Sequence, residues 1–222
     1  MLKYEEGEYM RKRVASLFLG VCCMMFSVHT YADIDKRIDT PQNREILKKV
    51  ETAYNKIRTL KAKFAQFNSK MQDDLQTGEL YLSRPGEMRL VYEKGSPLEF
   101  YAHNGYLIYH DKDLKEVNYF ELSQTPVSLI LKDKLKFDDP DFLVTDVRMV
   151  LDEYFVTAIK KDARELGSLT LIIDKDTMQL KQWDVVDIEG IKSTVSLYET
   201  QFNVSVDKNI FLFHNPYKKK KK

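Results

Sequence analysis

The stretch from Gly78 to Tyr92 limits the fold more than any other part of the chain. It reads as a strand, a turn and a second strand. Side chains alternate faces along a strand, so Gly78, Leu80, Leu82 and Arg84 share one face while Glu79, Tyr81 and Ser83 take the other. Pro85-Gly86 then reverses the chain, because proline fixes φ and glycine tolerates φ > 0. Met88, Leu90 and Tyr92 resume the apolar face at period two. The apolar face ends on a cation, Arg84. Two readings stay open: an arginine at a sheet rim pointing to water, or an arginine at the mouth of an apolar cavity, gripping something with its fork of donors.

The segments on either side extend the pattern. Thr40-Pro41 predicts a helix start, with threonine as cap and proline at the first helical position. Ile46, Leu47, Val50, Ala53, Tyr54 and Ile57 form one stripe, and Arg44, Glu45, Lys48, Lys49, Glu51 and Lys56 face away from it. This helix either packs on the core or serves as a movable lid. From Leu60 the period becomes two. Strands are expected over 61–69, 98–103, 106–111 and 117–122, with Lys70–Gln76 a polar turn and Asn104-Gly105 a tight hairpin signal. Thr125-Pro126 repeats the helix-start signature ahead of Val127, Leu129, Ile130 and Leu131, and Lys132–Asp141 reads as a solvated acidic loop. Further strands are expected over 142–151, 154–160, 168–174, 180–187, 193–202 and 210–213. The chain has no internal repeat and no linker. The expected class is α+β: one long, curved antiparallel sheet of about 11 strands, closed or nearly so, with helices on one side.

Arg11-Lys12-Arg13, the apolar run Val14–Phe26 and Thr30-Tyr31-Ala32 together predict a secretory signal peptide over 1–32, cut after Ala32. The acidic residues before Met10 fit an n-region badly, so either Met10 is the start or the n-region is long. Both cysteines, Cys22 and Cys23, fall inside the apolar run, and Val21 before Cys22 argues against a lipidation signal. The exported chain, a single domain over 33–217, would have no disulfide or thiol chemistry. Without 1–32 it carries 31 cationic and 31 anionic residues. Five of the cations form the tail Lys218–Lys222, which is either a solvated end or weakly drawn to anionic headgroups. This balance excludes the basic bias of a nucleic-acid binder.

No nucleophile elbow, phosphate loop or metal-ligand spacing is present. His110-Asp111 reads as a surface polar pair, and Asp138-Asp139-Pro140-Asp141 lacks the spacing of a calcium loop. The expectation is a protein that is not an enzyme and uses neither metal nor cofactor.

Phe64-Ala65-Gln66, Gly78-x-Leu80-x-x-x-Arg84-Pro85, Asn104-Gly105, Thr125-Pro126-x-x-Leu129, Asp187-x-x-Gly190 and Phe211-x-Phe213-x-x-Pro216 occur in the order, and near the spacing, of the LolA family of periplasmic lipoprotein carriers, which the chain resembles over about 45–217. The resemblance implies an unclosed β-barrel of about 11 strands, lidded by helices over an apolar cavity that takes acyl chains. It implies a monomeric periplasmic chaperone. Its partners would be acylated lipoproteins as cargo, an inner-membrane lipoprotein-releasing transporter, and an outer-membrane acceptor where one exists. A LolB-like acceptor is the alternative. The resemblance assigns Arg84 to securing the lid and handing cargo on. Leu90 departs from the family, many of whose members carry tryptophan there. Parity places Leu80, Leu82, Met88, Leu90 and Tyr92 on the cavity wall, with Leu47, Val50, Tyr54, Leu129 and Ile130 closing over them. The Arg84 guanidinium is expected to seek carbonyl oxygens of the lid segments, because helix C-terminal carbonyls lack intrahelical partners.

Overall fold

The computed structural model describes residues 38–218. The signal segment and the last four lysines therefore lie outside the described residues. Helix α1 spans Pro41–Tyr54, capped by the Thr40 hydroxyl, which accepts from the Asn43 N–H at 3.1 Å. Its stripe buries Ile46, Val50 and Tyr54. Eleven strands follow: β1 (Thr59–Asn68), β2 (Met71–Ser83), β3 (Glu87–Tyr92), β4 (Leu98–His103), β5 (Tyr106–Asp111), β6 (Glu116–Glu121), β7 (Phe142–Val150), β8 (Glu153–Lys160), β9 (Ser168–Asp174), β10 (Leu180–Val186) and β11 (Lys192–Phe202). A four-residue helix α2, Ser128–Leu131, sits between β6 and β7.

All the strands form one antiparallel sheet in the order β6-β5-β4-β3-β2-β1-β11-β10-β9-β8-β7. The first and last strands meet in its middle, and the free edges are β6 and β7. The sheet is thus unclosed, and the chain passes from one free edge to the other through the segment that carries α2. The inward faces of β1–β3 and β8–β11, the α1 stripe and α2 share one hydrophobic cluster. Asn104 and Gly105 both have positive φ (50° and 79°), as a primed two-residue turn requires.

Gly78 is needed for another reason. A Cβ there would stand 2.1 Å from the Val91 carbonyl oxygen and 2.9 Å from Phe64 Cε1. The missing side chain lets the Phe64 and Tyr92 rings meet edge to face, 5.3 Å between centroids and 87° between planes.

Several sequence expectations require correction. Lys70–Gln76 is not a turn: β2 begins at Met71, and the reversal is confined to Ser69 and Lys70. Ile210–Phe213 is not a strand. Residues Lys208–Phe211 form a 3-10 turn that buries Phe211. From there the chain runs over the sheet face opposite the cluster. Arg89 donates to the Ile210 carbonyl at 3.0 Å, and the Phe213 ring lies 5.1 Å from Tyr101 and 5.6 Å from His110. For the same reason His110-Asp111 is not a surface pair. His110 is 4% exposed, with Nδ1 2.9 Å from Glu99 and Nε2 3.2 Å from the Tyr217 hydroxyl. Burial raises the Glu99 carboxyl pKa, but hydrogen bonds from His110 and Lys112 outweigh that and hold it below the usual range. The 132–141 loop is only partly solvated. Leu135 and Phe137 are buried, and Lys132 Nζ lies 2.6 Å from Asp139 Oδ2.

Candidate functional site

Arg84 closes β2's inner face just beyond the strand end, and parity aims it where the sequence pattern requires. The reading of a rim residue in water is incorrect: Arg84 is 4% exposed. Its guanidinium has five N–H donors, and each has an acceptor. Nε donates to the Lys132 carbonyl at 2.7 Å. One terminal nitrogen donates to the carbonyls of Tyr54 at 2.9 Å and Ile57 at 3.0 Å. The other reaches Asn55 Oδ1 and the Asp133 carbonyl, both at 3.1 Å. One side chain therefore ties the end of α1 and the segment after α2 to the sheet. The Tyr54 ring lies under the cation, 4.6 Å from the guanidinium carbon, and its hydroxyl donates to the Ile130 carbonyl at 2.8 Å. Burial, the largest influence, draws the Arg84 pKa below its usual value; Arg58 adds to this, while Tyr54 and Asp133 oppose it. Burial also drives the Tyr54 phenol upward, so the site holds one cation over a neutral ring.

The expected wall residues divide into two groups. Met88, Leu90 and Tyr92 border an apolar cavity of about 180 Å³ together with Phe100, Trp183 and Val195; Gln66 and Ser193 supply its polar groups. Leu80, Leu82, Val50, Tyr54, Leu129 and Ile130 are buried in the same contiguous cluster and do not border the cavity. Leu47 is half-buried and lines a separate groove with Phe137 and Phe142. The Tyr92 hydroxyl donates to Gln66 Oε1 at 2.7 Å, and burial pushes its pKa up.

Sequence reading missed Trp183 and Val195. A register shift between Leu180 and Gln182 hid Trp183; Val195 lies on β11, whose pairing with β10 has no shift, and no wall role was read for it. Without the shift, parity from Leu180 would turn Gln182 and Asp184 inward; the bulge brings Trp183 to the cavity instead. Gln66 was visible in the F-x-Q strand but was given no role. Among the described residues, no group of three His, Cys, Asp or Glu stands close enough to hold a metal, and no helix is long and apolar enough to cross a membrane.

The sequence profile of the outer membrane lipoprotein carrier protein LolA matches residues 55–214. An outer-membrane lipoprotein carrier protein of Methylococcus capsulatus is 25% identical over 184 residues, covering 80% of this chain and 85% of the relative. Among solved structures, a LolA superfamily protein of Nitrosomonas europaea superposes with a TM-score of 0.44 at 9% identity, covering 75% of this chain and 97% of that one. The MucA/MucB complex of Pseudomonas aeruginosa contains a chain that superposes at 0.40 and 11% identity, covering 77% of this chain and 60% of that one. Because the profile spans well over half the sequence and includes Arg84 and every residue bordering the cavity, the protein belongs to the LolA family of outer membrane lipoprotein carrier proteins.

Proposed function

We propose that this protein is a periplasmic, non-enzymatic carrier. It would shelter the acyl chains of lipoproteins released from the inner membrane and deliver them to the outer membrane. The observation that carries this reading is the pairing of an apolar cavity with a single buried arginine that binds both helical segments to the sheet.

Burying an acyl chain is worth about 0.8 kcal/mol per methylene, so a chain of ~15 methylenes gains roughly 12 kcal/mol on leaving water. A polypeptide bearing several such chains needs a soluble host to cross an aqueous compartment. The cavity of about 180 Å³ resembles in size the ~150 Å³ engineered cavities that hold one benzene. It has room for only a few carbons of one chain, and taking more means lifting α1 and α2 from the sheet. Lifting breaks the five Arg84 bonds, each worth about 1.5–3 kcal/mol before the guanidinium regains water. Two terms of similar size and opposite sign suit a carrier that must both load and release. Charge on Arg84 and its five-donor fork do the holding; Leu90, Met88 and Tyr92 meet the chain. No bond in the cargo needs to be made or broken.

Mass spectrometry of the protein isolated from its own periplasm tests this reading. Acylated polypeptide recovered with the carrier is expected. Recovery of the carrier with no acylated polypeptide, under conditions that preserve other periplasmic complexes, would refute it.

A further inference from the structure

Trp183 is the chain's one tryptophan. It is 3% exposed and borders the cavity. Its indole N–H has no hydrogen-bond partner among the described residues, yet it is not sealed: the fully buried, unpaired side-chain polar atom among them is Arg89 Nε, so the indole nitrogen opens on the cavity. A donor that opens on a cavity can bond to water, and a ligand that displaces that water must bring an acceptor or leave the donor unpaired. The second donor is on Gln66. Its carbonyl oxygen already accepts from Tyr92, and its amide nitrogen has no partner among the described residues. Register brings the two together: Gln66 pairs with Val195 and Val195 pairs with Trp183, so both flank one residue on the same face. Adjacent strands lie about 4.8 Å apart, which puts the Gln66 and Trp183 backbones on the order of 10 Å from each other. The gap between them is bridged by an occupant of ordinary size.

The cavity therefore offers a ligand two N–H donors beside the Ser193 hydroxyl, whose oxygen already accepts from Asn68 at 3.1 Å, while the Gln66 carbonyl oxygen accepts from Tyr92. No lysine, arginine or histidine borders it. A carboxylate would be buried there without a counter-charge, and a plain alkyl chain would leave both donors unpaired. Resting on the carrier reading above, we propose that Trp183 and Gln66 recognise the neutral carbonyl oxygen of an ester- or amide-linked acyl chain. They would fix the depth to which the chain enters while its methylenes run along Met88, Leu90 and Val195. Trp183 is then a specificity-determining residue: it selects acyl over alkyl.

The test uses the mature protein and two lipids, a palmitoyl-ester lysophosphatidylcholine and its hexadecyl-ether analogue, with palmitate as a third ligand. A single tryptophan gives a single indole N–H signal in a proton–nitrogen correlation spectrum. The ester should move that signal downfield and bind about 3- to 10-fold tighter than the ether, the ratio a neutral hydrogen bond produces. Palmitate should bind no better than the ether. Trp183→Phe should keep ether binding and lose most of the ester preference, and Gln66→Met should reduce it. If Trp183→Phe does not fold, the parent's ester-to-ether ratio and indole shift decide alone. Equal affinities with a stationary indole signal overturn the carbonyl contact and leave the carrier reading standing. Failure of every lipid to bind overturns both.

Discussion

Replacing Arg84 by leucine tests how the closed arrangement is held. The arginine makes five hydrogen bonds, three to residues 54–57 and two to residues 132–133. At about 1.5–3 kcal/mol each, the gross contribution is roughly 8–15 kcal/mol, and several kcal/mol are returned because a buried guanidinium loses its water. Leucine fills part of the space but leaves the acceptors buried without a donor. Removing one partner of a buried charged cluster costs about 3–5 kcal/mol. That shifts the closed-to-open ratio by about a hundredfold to several thousandfold. Hydrogen exchange should register it locally: amides of residues 55–57 and of Leu135, which donates to Asn55 Oδ1, should exchange faster by that factor while the central strands β1, β2 and β11 stay protected. In a two-step assay with purified carrier, loading should survive. Release should be blocked, because re-forming the bonds no longer helps expel the chains. Arg84→Lys should rescue partially, since an ammonium carries three donors and no planar fork. Unchanged exchange with parent-like loading and release would refute the reasoning, and so would a folded variant unable to load.

Gly78→Ala forces a Cβ to within 2.1 Å of the Val91 carbonyl oxygen; overpacking of this kind costs about 1–3 kcal/mol, or roughly 3–10 °C in Tm by thermal circular dichroism, and a shift under ~2 °C would show that the strands yield freely. Tyr54→Phe removes the bond to the Ile130 carbonyl. It should lower stability by about 1–2 kcal/mol in urea titrations and speed loading; an unchanged midpoint would show that the hydroxyl is dispensable. Acid should act through the 132–141 loop. Burial raises the Asp139 pKa, but hydrogen bonds from Lys132 and the Asp141 N–H outweigh it and hold it below the usual carboxylate value; burial lowers the Lys132 pKa, and its bonds to Asp139 and Asp141 outweigh that and raise it. The pair's stabilisation is therefore complete above the ordinary carboxylate pKa and is lost as pH falls through the lower folded value. Asp139→Asn should flatten stability below about pH 4 relative to the parent; parallel acid-unfolding curves would count against the pair.

Where short-range chemistry decides, the sequence was readable. Thr40-Pro41 set the start of α1, Pro85-Gly86 and Asn104-Gly105 set two turns, and period two set the inward faces of β2 and β3. Long-range contacts decided what was missed. His110 looks like a surface residue until the segment 211–217 lies over it. Leu135 and Phe137 looked isolated in an acidic loop, yet its carbonyls serve Arg84. The bulge at Leu180–Gln182 inverts the parity of β10 and hid Trp183, because nothing local marks an extra residue in a strand. Arg84 was singled out as a cation at odds with its apolar face, and helix-end chemistry suggested its acceptors. The count of five, and the Asn55 side chain among them, came only from tertiary geometry.

The sheet order carries a mechanical consequence. Because β1 and β11 join at the centre, the strands with free edges, β6 and β7, share no hydrogen bonds. The barrel has a slit rather than a seam. Spreading its two lips changes the enclosed volume without breaking a single rung of any ladder. Among the described residues, side-chain contacts, the connection from 122 to 141 and the main-chain bond from the Gly86 N–H to the Leu131 carbonyl at 2.9 Å resist the movement. A closed barrel of the same size would be a container of fixed capacity; this one is built like a split collet, whose bore adjusts to the girth of what it grips.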